Sequence, residues 1–250
     1  MQRLTGKVAL ITGASRGLGR ALALAYAREG ADLVLNAREG SRAGLGAVAR
    51  EAEAAGARVL VVTADVGRRE DVERLAALAL DEFGRVDVLV NNASALGPTP
   101  MPYLLDYPPD AWDEVLRANV TGPFLLARAL VGQMLARGGG AVINVSSDAG
   151  VVGYPTWGAY GVSKAALDQL TRTLAAETEG TGVRVNSVDP GDMDTAMKRA
   201  SEPDGDASSW ARPEDVTEVF VWLASDAAAD VTGRRFEAQS FEAPVAASGV

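Results

Sequence analysis

The sequence contains no cysteine and no histidine. Without cysteine there is no disulfide, no thiolate zinc site and no thiol nucleophile. Without histidine the commonest general base near neutral pH and the commonest transition-metal ligand are both missing. No metal site is expected, and acid–base chemistry falls to tyrosine, lysine or carboxylates. Long apolar runs are also lacking, since none approaches the roughly 20 residues of a membrane span. The run Val8 to Ile11, which follows Arg3 and Lys7, is too short for the core of a signal peptide. Positive charge is scarce: 24 Lys and Arg stand against 33 Asp and Glu, for a formal net charge of −9. That balance disfavours nucleic acid and anionic membranes as partners. These absences together point to a cytoplasmic protein that acts on small molecules.

What is present is a tyrosine and a lysine four positions apart, Tyr160 and Lys164, in the run Tyr160-Gly161-Val162-Ser163-Lys164. On a helix both project from one face. A phenol titrates near pH 10 in water, and an adjacent cation lowers that value. A fall of about three units, roughly 4 kcal/mol, would make the phenol a usable acid and base near neutral pH. An isolated pair of this kind is more often packing and solvation, so its meaning depends on what lies upstream.

Upstream, Val8 to Ile11 reads as a strand buried on both faces. It runs into Thr12-Gly13-Ala14-Ser15-Arg16-Gly17-Leu18-Gly19 and then the helical stretch Ala21 to Ala27. A glycine-rich turn between strand and helix is the arrangement that seats a phosphate on a helix N-terminus. Strands are expected at 32–36, 58–62, 86–90, 141–145 and 183–188, with a last one within 231–236. Helices are expected at 45–54, 72–83, 112–135, 158–178 and 213–224. The Gly122-Pro123 pair marks a bend in the long pattern from Trp112 to Leu135. Leu96 to Pro109 reads as loop, Met193 to Trp210 as polar and irregular, and Ala246 to Val250 as a frayed end. The alternation of strand and helix gives an α/β fold, a doubly wound parallel sheet in one domain spanning 1–250. The candidate residues gather at strand C-terminal ends, where such sheets bind ligands.

Thr12-Gly13-x-x-x-Gly17-x-Gly19, Asn91-Asn92-Ala93, Asn119, Ser147, Tyr160-x-x-x-Lys164 and Pro190-Gly191 occur in that order. Together they resemble the short-chain dehydrogenase/reductase family, in its single-domain branch, from Lys7 to about Gly233. The resemblance implies a Rossmann-type sheet of seven strands, order 3-2-1-4-5-6-7, with helices on both faces. It also implies a nicotinamide cofactor and an oxidoreductase that interconverts a carbonyl compound and its secondary alcohol. The implied catalytic set is Asn119, Ser147, Tyr160 and Lys164. Tyr160 is the acid/base, Lys164 lowers its pKa and reaches the cofactor ribose, and Ser147 donates to the substrate oxygen. Asn119 holds a water that links Lys164 to solvent. Ser146 reads as packing at the strand end. The implied cofactor residues are Gly13, Ser15, Arg16, Gly17, Leu18, Gly19, Arg38, Asp65, Val66, Asn92, Ala93, Pro190, Gly191 and Thr195, joined by Tyr160 and Lys164. Asn91 steadies the central sheet, and Val188 lies beside the nicotinamide ring.

At the end of the second strand an acidic residue selects NAD, and a nearby arginine accommodates the 2′-phosphate of NADP. Here Ala37 and Arg38 fill those places, with Arg16 in the glycine-rich turn and Ser41 and Arg42 nearby. NADP(H) is expected over NAD(H). The substrate pocket is expected from Ser94, Ala95, Leu96, Val151, Tyr154, Trp157 and a mobile lid at about 193–210. A homotetramer or homodimer is implied by the resemblance. Two departures from the family pattern stand out: Ser94 after Asn-Asn-Ala, and the tail Phe236 to Ser240 in place of a glycine-rich ending. The competing reading is a dinucleotide-binding sensor or scaffold without turnover, which would be expected to lose Tyr160 or Lys164.

Overall fold

Seven short apolar segments pair into one parallel sheet in the computed structural model, which describes residues 2–244. The strands are β1 (Val8–Thr12), β2 (Asp32–Ala37), β3 (Val59–Thr63), β4 (Val88–Asn91), β5 (Gly140–Val145), β6 (Val183–Asp189) and β7 (Arg235–Glu237). Their order is β3-β2-β1-β4-β5-β6-β7, and every pairing is parallel. The expectation for Ala246 to Val250 lies outside the described residues.

A parallel sheet has to be covered on both faces, and alternation along each strand divides its side chains between them. Ala9, Ile11, Leu33 and Leu35 pack with α1 (Gly17–Arg28), α2 (Arg42–Ala54) and α8 (Glu218–Ala224). Val8, Leu10 and Val34 pack on the other side with α3 (Arg69–Phe83), α5 (Gly122–Ala136) and the rear of α6 (Gly158–Glu177). The first layer is pinned by Tyr26, which is fully buried and donates from its hydroxyl to the Phe220 carbonyl at 2.9 Å.

Strand order reverses between β1 and β4, so a crevice opens beyond their carboxyl ends. Two polar ties shape it. Thr12 Oγ1 accepts the backbone N–H groups of Asn92 and Ala93, each at 3.0 Å, and the Asn92 amide donates back to the Thr12 carbonyl at 2.7 Å. The glycine-rich turn is thereby latched to the end of β4. The turn needs glycine for space: a Cβ on Gly19 would stand 2.2 Å from the Gly13 carbonyl oxygen, and Gly13 itself has φ +65°. Behind the crevice, Asn91 donates to the Asn144 side chain at 2.8 Å, and Asn144 donates to Thr171 at 2.8 Å. This chain ties β4 and β5 to α6.

The local departures from expectation have physical causes. The pattern from Trp112 to Leu135 is not one bent helix. It is α4 (Pro109–Leu116), a π turn at Arg117–Thr121, and α5. Pro123 has no N–H to give to the Asn119 carbonyl four residues back, and the wider turn falls at that point. The segment 193–210 is not irregular throughout: Thr195 Oγ1 accepts the Lys198 N–H at 3.2 Å and caps α7 (Ala196–Ser201). Lys198 then pairs with Asp192 at 2.7 Å and Glu202 at 2.5 Å. The last strand is shorter than 231–236 and begins at Arg235.

Replacing Thr12 with valine keeps the volume and removes the acceptor. The Ala93 amide then loses its partner and the Asn92 amide keeps only the Val90 carbonyl at 3.1 Å, and the expected loss is about 1–3 kcal/mol of folding stability. Urea denaturation measures it; an unchanged midpoint would show that the latch contributes nothing.

Candidate functional site

The crevice is a cleft of about 560 Å³ that runs from Arg38 at the end of β2, past the glycine-rich turn, to Tyr160 and Lys164 on α6. A smaller cavity of about 300 Å³ adjoins it and shares Ser146, Tyr160, Pro190, Met193 and Thr195. Tyr160 therefore stands at the junction of an elongated cleft and a compact one.

Most of the sequence-derived residues meet here. Gly13, Ser15, Arg16, Gly17, Leu18, Gly19, Arg38, Asp65, Val66, Asn92, Ala93, Pro190 and Thr195 line the large cleft with Tyr160 and Lys164. Gly191 and Ser147 line only the small cavity. Ser94 and Ala95, expected in the substrate pocket, line the large cleft instead. Val151 lines neither and is 69% exposed, because the turn after β5 carries it outward. Leu96, Tyr154 and Trp157 do line the small cavity.

Asn119 lines neither cavity. It is buried on the π turn with all its side-chain capacity used. Its amide donates to the Ala95 carbonyl and to Ser163 Oγ, both at 2.9 Å. Its oxygen accepts the Ala95 N–H at 2.7 Å and the Ser94 hydroxyl at 3.1 Å. The side chain is a brace between the loop after β4 and α6. The side chain has no valence left for a water, and Pro123, four residues on, has no N–H to give the Asn119 carbonyl.

Lys164 and Tyr160 lie side by side on α6. Lys164 is 2% exposed; its Nζ donates to the Val145 carbonyl at 2.7 Å and lies 5.3 Å from the centre of the Tyr160 ring. Burial lowers its pKa to about 8, against the opposing pull of Asp168 and Asp189. The Tyr160 phenol is pushed up, chiefly by burial. Asp189 and Asp148 push it further, while the Ser147 and Ser94 hydroxyls oppose the rise.

Ser147 caps the turn after β5. Its hydroxyl donates to Asp148 at 3.0 Å and accepts the Ala149 N–H at 3.2 Å, while Tyr154 donates to the other Asp148 oxygen at 2.9 Å. Trp157 closes edge-on against the Tyr160 ring, 5.4 Å between centres. Ser146 Oγ is buried at the boundary of the two cavities and has no hydrogen-bond partner among the described residues.

The far end of the large cleft is cationic. Arg16, Arg38, Arg68 and Arg117 line it. Arg38 is exposed and only 3.9 Å from Glu114, a weak surface pair. Arg42 is not available to the cleft: it pairs with Glu39 at 2.6 Å and donates to Thr63. Arg68 and Arg117 were not picked out in the sequence; the only signal was that Arg68 closely follows Asp65-Val66. Asp65 accepts the Gly67 N–H at 2.9 Å with one oxygen and so also forms the local turn. Asp189, another residue missed, is a buried carboxylate at the end of β6 that faces the small cavity.

These features suit an elongated, anionic dinucleotide. The N-terminus of α1 has no capping side chain and no acid in its first turn, so its free N–H groups face the cleft. The glycine-rich cradle leaves room that side chains would fill. Among the described residues no cluster of His, Cys, Asp and Glu could hold a metal ion, and no helix is long and apolar enough to cross a membrane.

Comparison with known proteins gives the same direction. Residues 7–206 match the family model described as short chain dehydrogenase. A 3-oxoacyl-[acyl-carrier-protein] reductase from Synechocystis sp. is 39% identical over 242 residues, covering 94% of this chain and 96% of its own. The solved structure of a short chain dehydrogenase from Pseudomonas syringae superposes with a TM-score of 0.90 at 37% identity, over 95% of this chain and 96% of the other. A short chain dehydrogenase from Escherichia coli, solved in complex with NADPH, gives 0.87 at 32% identity, over 95% and 98%.

Proposed function

The chain belongs to the short-chain dehydrogenase/reductase family and is an oxidoreductase of that family, and from that premise we propose that it reduces a carbonyl compound to its secondary alcohol at the expense of NADPH. The observation that carries this reading is the position of Tyr160, between a dinucleotide-sized cleft and a compact cavity, with Ser147 and Lys164 beside it. The nicotinamide dinucleotide supplies the hydride when bound.

The residues of the chain do the rest. The Tyr160 phenol is held protonated by burial and by the nearby carboxylates of Asp189 and Asp148. In its protonated form the phenol can deliver a proton to the carbonyl oxygen as hydride reaches the carbon. Ser147, by turning its hydroxyl away from Asp148, would donate to the same oxygen, where negative charge develops. Lys164 stands behind the ring as the cation that balances the phenolate left behind and faces the cleft that the ribose would occupy. The Asn119 carbonyl, next to α6, is the acceptor through which a water could return the proton.

Four carboxylates, Asp148, Asp189, Asp192 and Glu202, line the small cavity, and Lys198 is already shared by two of them. That lining disfavours an anionic substrate. Leu96, Trp157 and the body of Tyr154 offer apolar surface, so a neutral carbonyl compound with an apolar or aromatic part is the substrate class.

Copies of the chain are proposed to pair through α5 and α6 into a homodimer or homotetramer. Phe124 (47%), Leu135 (41%) and Val162 (46%) remain exposed there in the single chain, as apolar residues awaiting cover. Light scattering at micromolar concentration is expected to give a multiple of 25.9 kDa; a monomer alone would contradict this.

Tyr160→Phe should retain cofactor affinity and lose turnover, because the ring stays and the transferable proton goes; a loss of about 10²–10⁴-fold in kcat is expected. Residual turnover above a few per cent would remove Tyr160 from its role.

NADPH is favoured on the composition of the cleft's far end: Ala37 places no carboxylate there, and Arg16, Arg38 and Arg68 supply guanidiniums. The preference is expected as a higher kcat/KM with NADPH than with NADH on one substrate. Ala37→Asp with Arg38→Ala should reverse it. A wild-type ratio that favours NADH would overturn the assignment.

A further inference from the structure

Lys164 is a buried ammonium whose one hydrogen bond runs to a neutral carbonyl. A charge in that position needs compensation from its surroundings. One turn further along α6, and at the neighbouring ends of β6 and β7, stand three further charges, two of them buried. Asp168, one helical turn along α6, is 4% exposed and turns its carboxylate to Arg235 Nε at 3.5 Å. Arg235, the first residue of β7, donates from its guanidinium to Asp189 at 2.8 Å. Asp189, 6% exposed at the end of β6, also accepts the Gly191 N–H at 2.9 Å. One Asp168 oxygen and Arg235 Nε make no hydrogen bond, so the contact between them is one of charge.

We propose that Asp168, Arg235 and Asp189 form the counter-charge of Lys164 and act on the site as positioning residues. The four together carry two positive and two negative charges and are neutral only while Lys164 holds its proton. No salt bridge joins Lys164 to either carboxylate, so the balance acts through space and leaves the ammonium free to face the cleft. Arg235 is shared between the two acids and restrains their combined pull. The atypical end of the chain thereby gains a role: β7 and the turn after it hold Asp189 through Arg235. The same turn holds the Pro190 and Asp192 carbonyls through Gln239, at 3.2 and 2.9 Å.

The other charged groups around the pair are accounted for. Tyr160 lies on α6 itself, and Asp148 faces Tyr160 from the turn after β5. Arg16, Arg38, Asp65, Arg68, Glu114, Arg117 and Asp194 line the same cleft. Glu237 is exposed and 3.8 Å from Arg235, a distance and setting at which it contributes little. Asp168 and Asp189 both favour the charged form of Lys164 against burial.

The inference rests on the reading of Lys164 as part of the reaction site, and the test separates the two. The chain has three lysines, Lys7, Lys164 and Lys198, so protein grown on lysine labelled with ¹³C at Cε gives three resonances. Lys164→Arg identifies the relevant one by its loss. In the cofactor-free protein, Asp168→Asn should lower the titration midpoint of Lys164 by roughly half to one pH unit, because an opposing charge is removed. Arg235→Gln should raise it, because a like charge is removed, and Arg235→Lys should restore the wild-type value. If Asp168→Asn does not fold, Asp189→Asn carries the same expected sign. Opposite shifts support the proposal, since general loosening would move both variants the same way. Unchanged midpoints, or shifts of one sign, would overturn it. The alkaline limb of kcat/KM is expected to follow the NMR midpoint in each variant. If the resonance moves and the limb does not, the counter-charge stands and the reaction role of Lys164 falls.

Discussion

Parallel pairing is the constraint on which the rest of this molecule depends. A parallel sheet cannot leave a face to water, so each strand sends alternate side chains into two separate cores, and helices must cover both. The crossovers that achieve this reverse direction once, between β1 and β4, and open the crevice there. The residues that line the crevice lie at the carboxyl ends of strands or in the segments that follow them. The latch from Thr12 to Asn92 and the chain Asn91–Asn144–Thr171 fix how the two halves of the crevice face one another.

Burial then decides the electrostatics. A solvated Tyr–Lys pair would be governed by mutual attraction. In this crevice Lys164 is buried and Tyr160 half-buried, and desolvation favours the neutral form of each: the phenol rises and the ammonium falls to about 8. The site is therefore poised by its surroundings, by Asp189 and Asp148 on one group and by Asp168 and Asp189 on the other.

Much of this was legible in the sequence where chemistry is local. The glycine-rich turn is dictated by steric limits that only glycine meets, so Gly13, Gly17 and Gly19 could be placed from spacing alone. The missing histidine and cysteine left Tyr160 and Lys164 as the available acid–base pair. Alternating strand and helix patterns gave the fold class, and the family resemblance gave the strand order that the structure shows. Element ends were less legible, as the π turn at Arg117–Thr121 and the short helix at Ala196–Ser201 demonstrate. Those depend on which backbone donors find partners, and one-dimensional periodicity does not record that.

By itself, then, the sequence determined what could be coded by a run of neighbours: the turn that cradles an anion, the apolar alternation of each strand, and the one-turn spacing of Tyr160 and Lys164. Tertiary structure alone decided what depends on residues far apart in the chain. The Asn119 side chain became a brace, because the Ser94 hydroxyl, the Ala95 backbone and Ser163 fill its four hydrogen-bonding positions. Arg42 was drawn to Glu39, while Arg68 and Arg117 came to the cleft. Asp189 and Arg235, forty-six positions apart, met behind the site. Proton affinities respond to burial and to charges through space, and both are set only when the chain has closed around them.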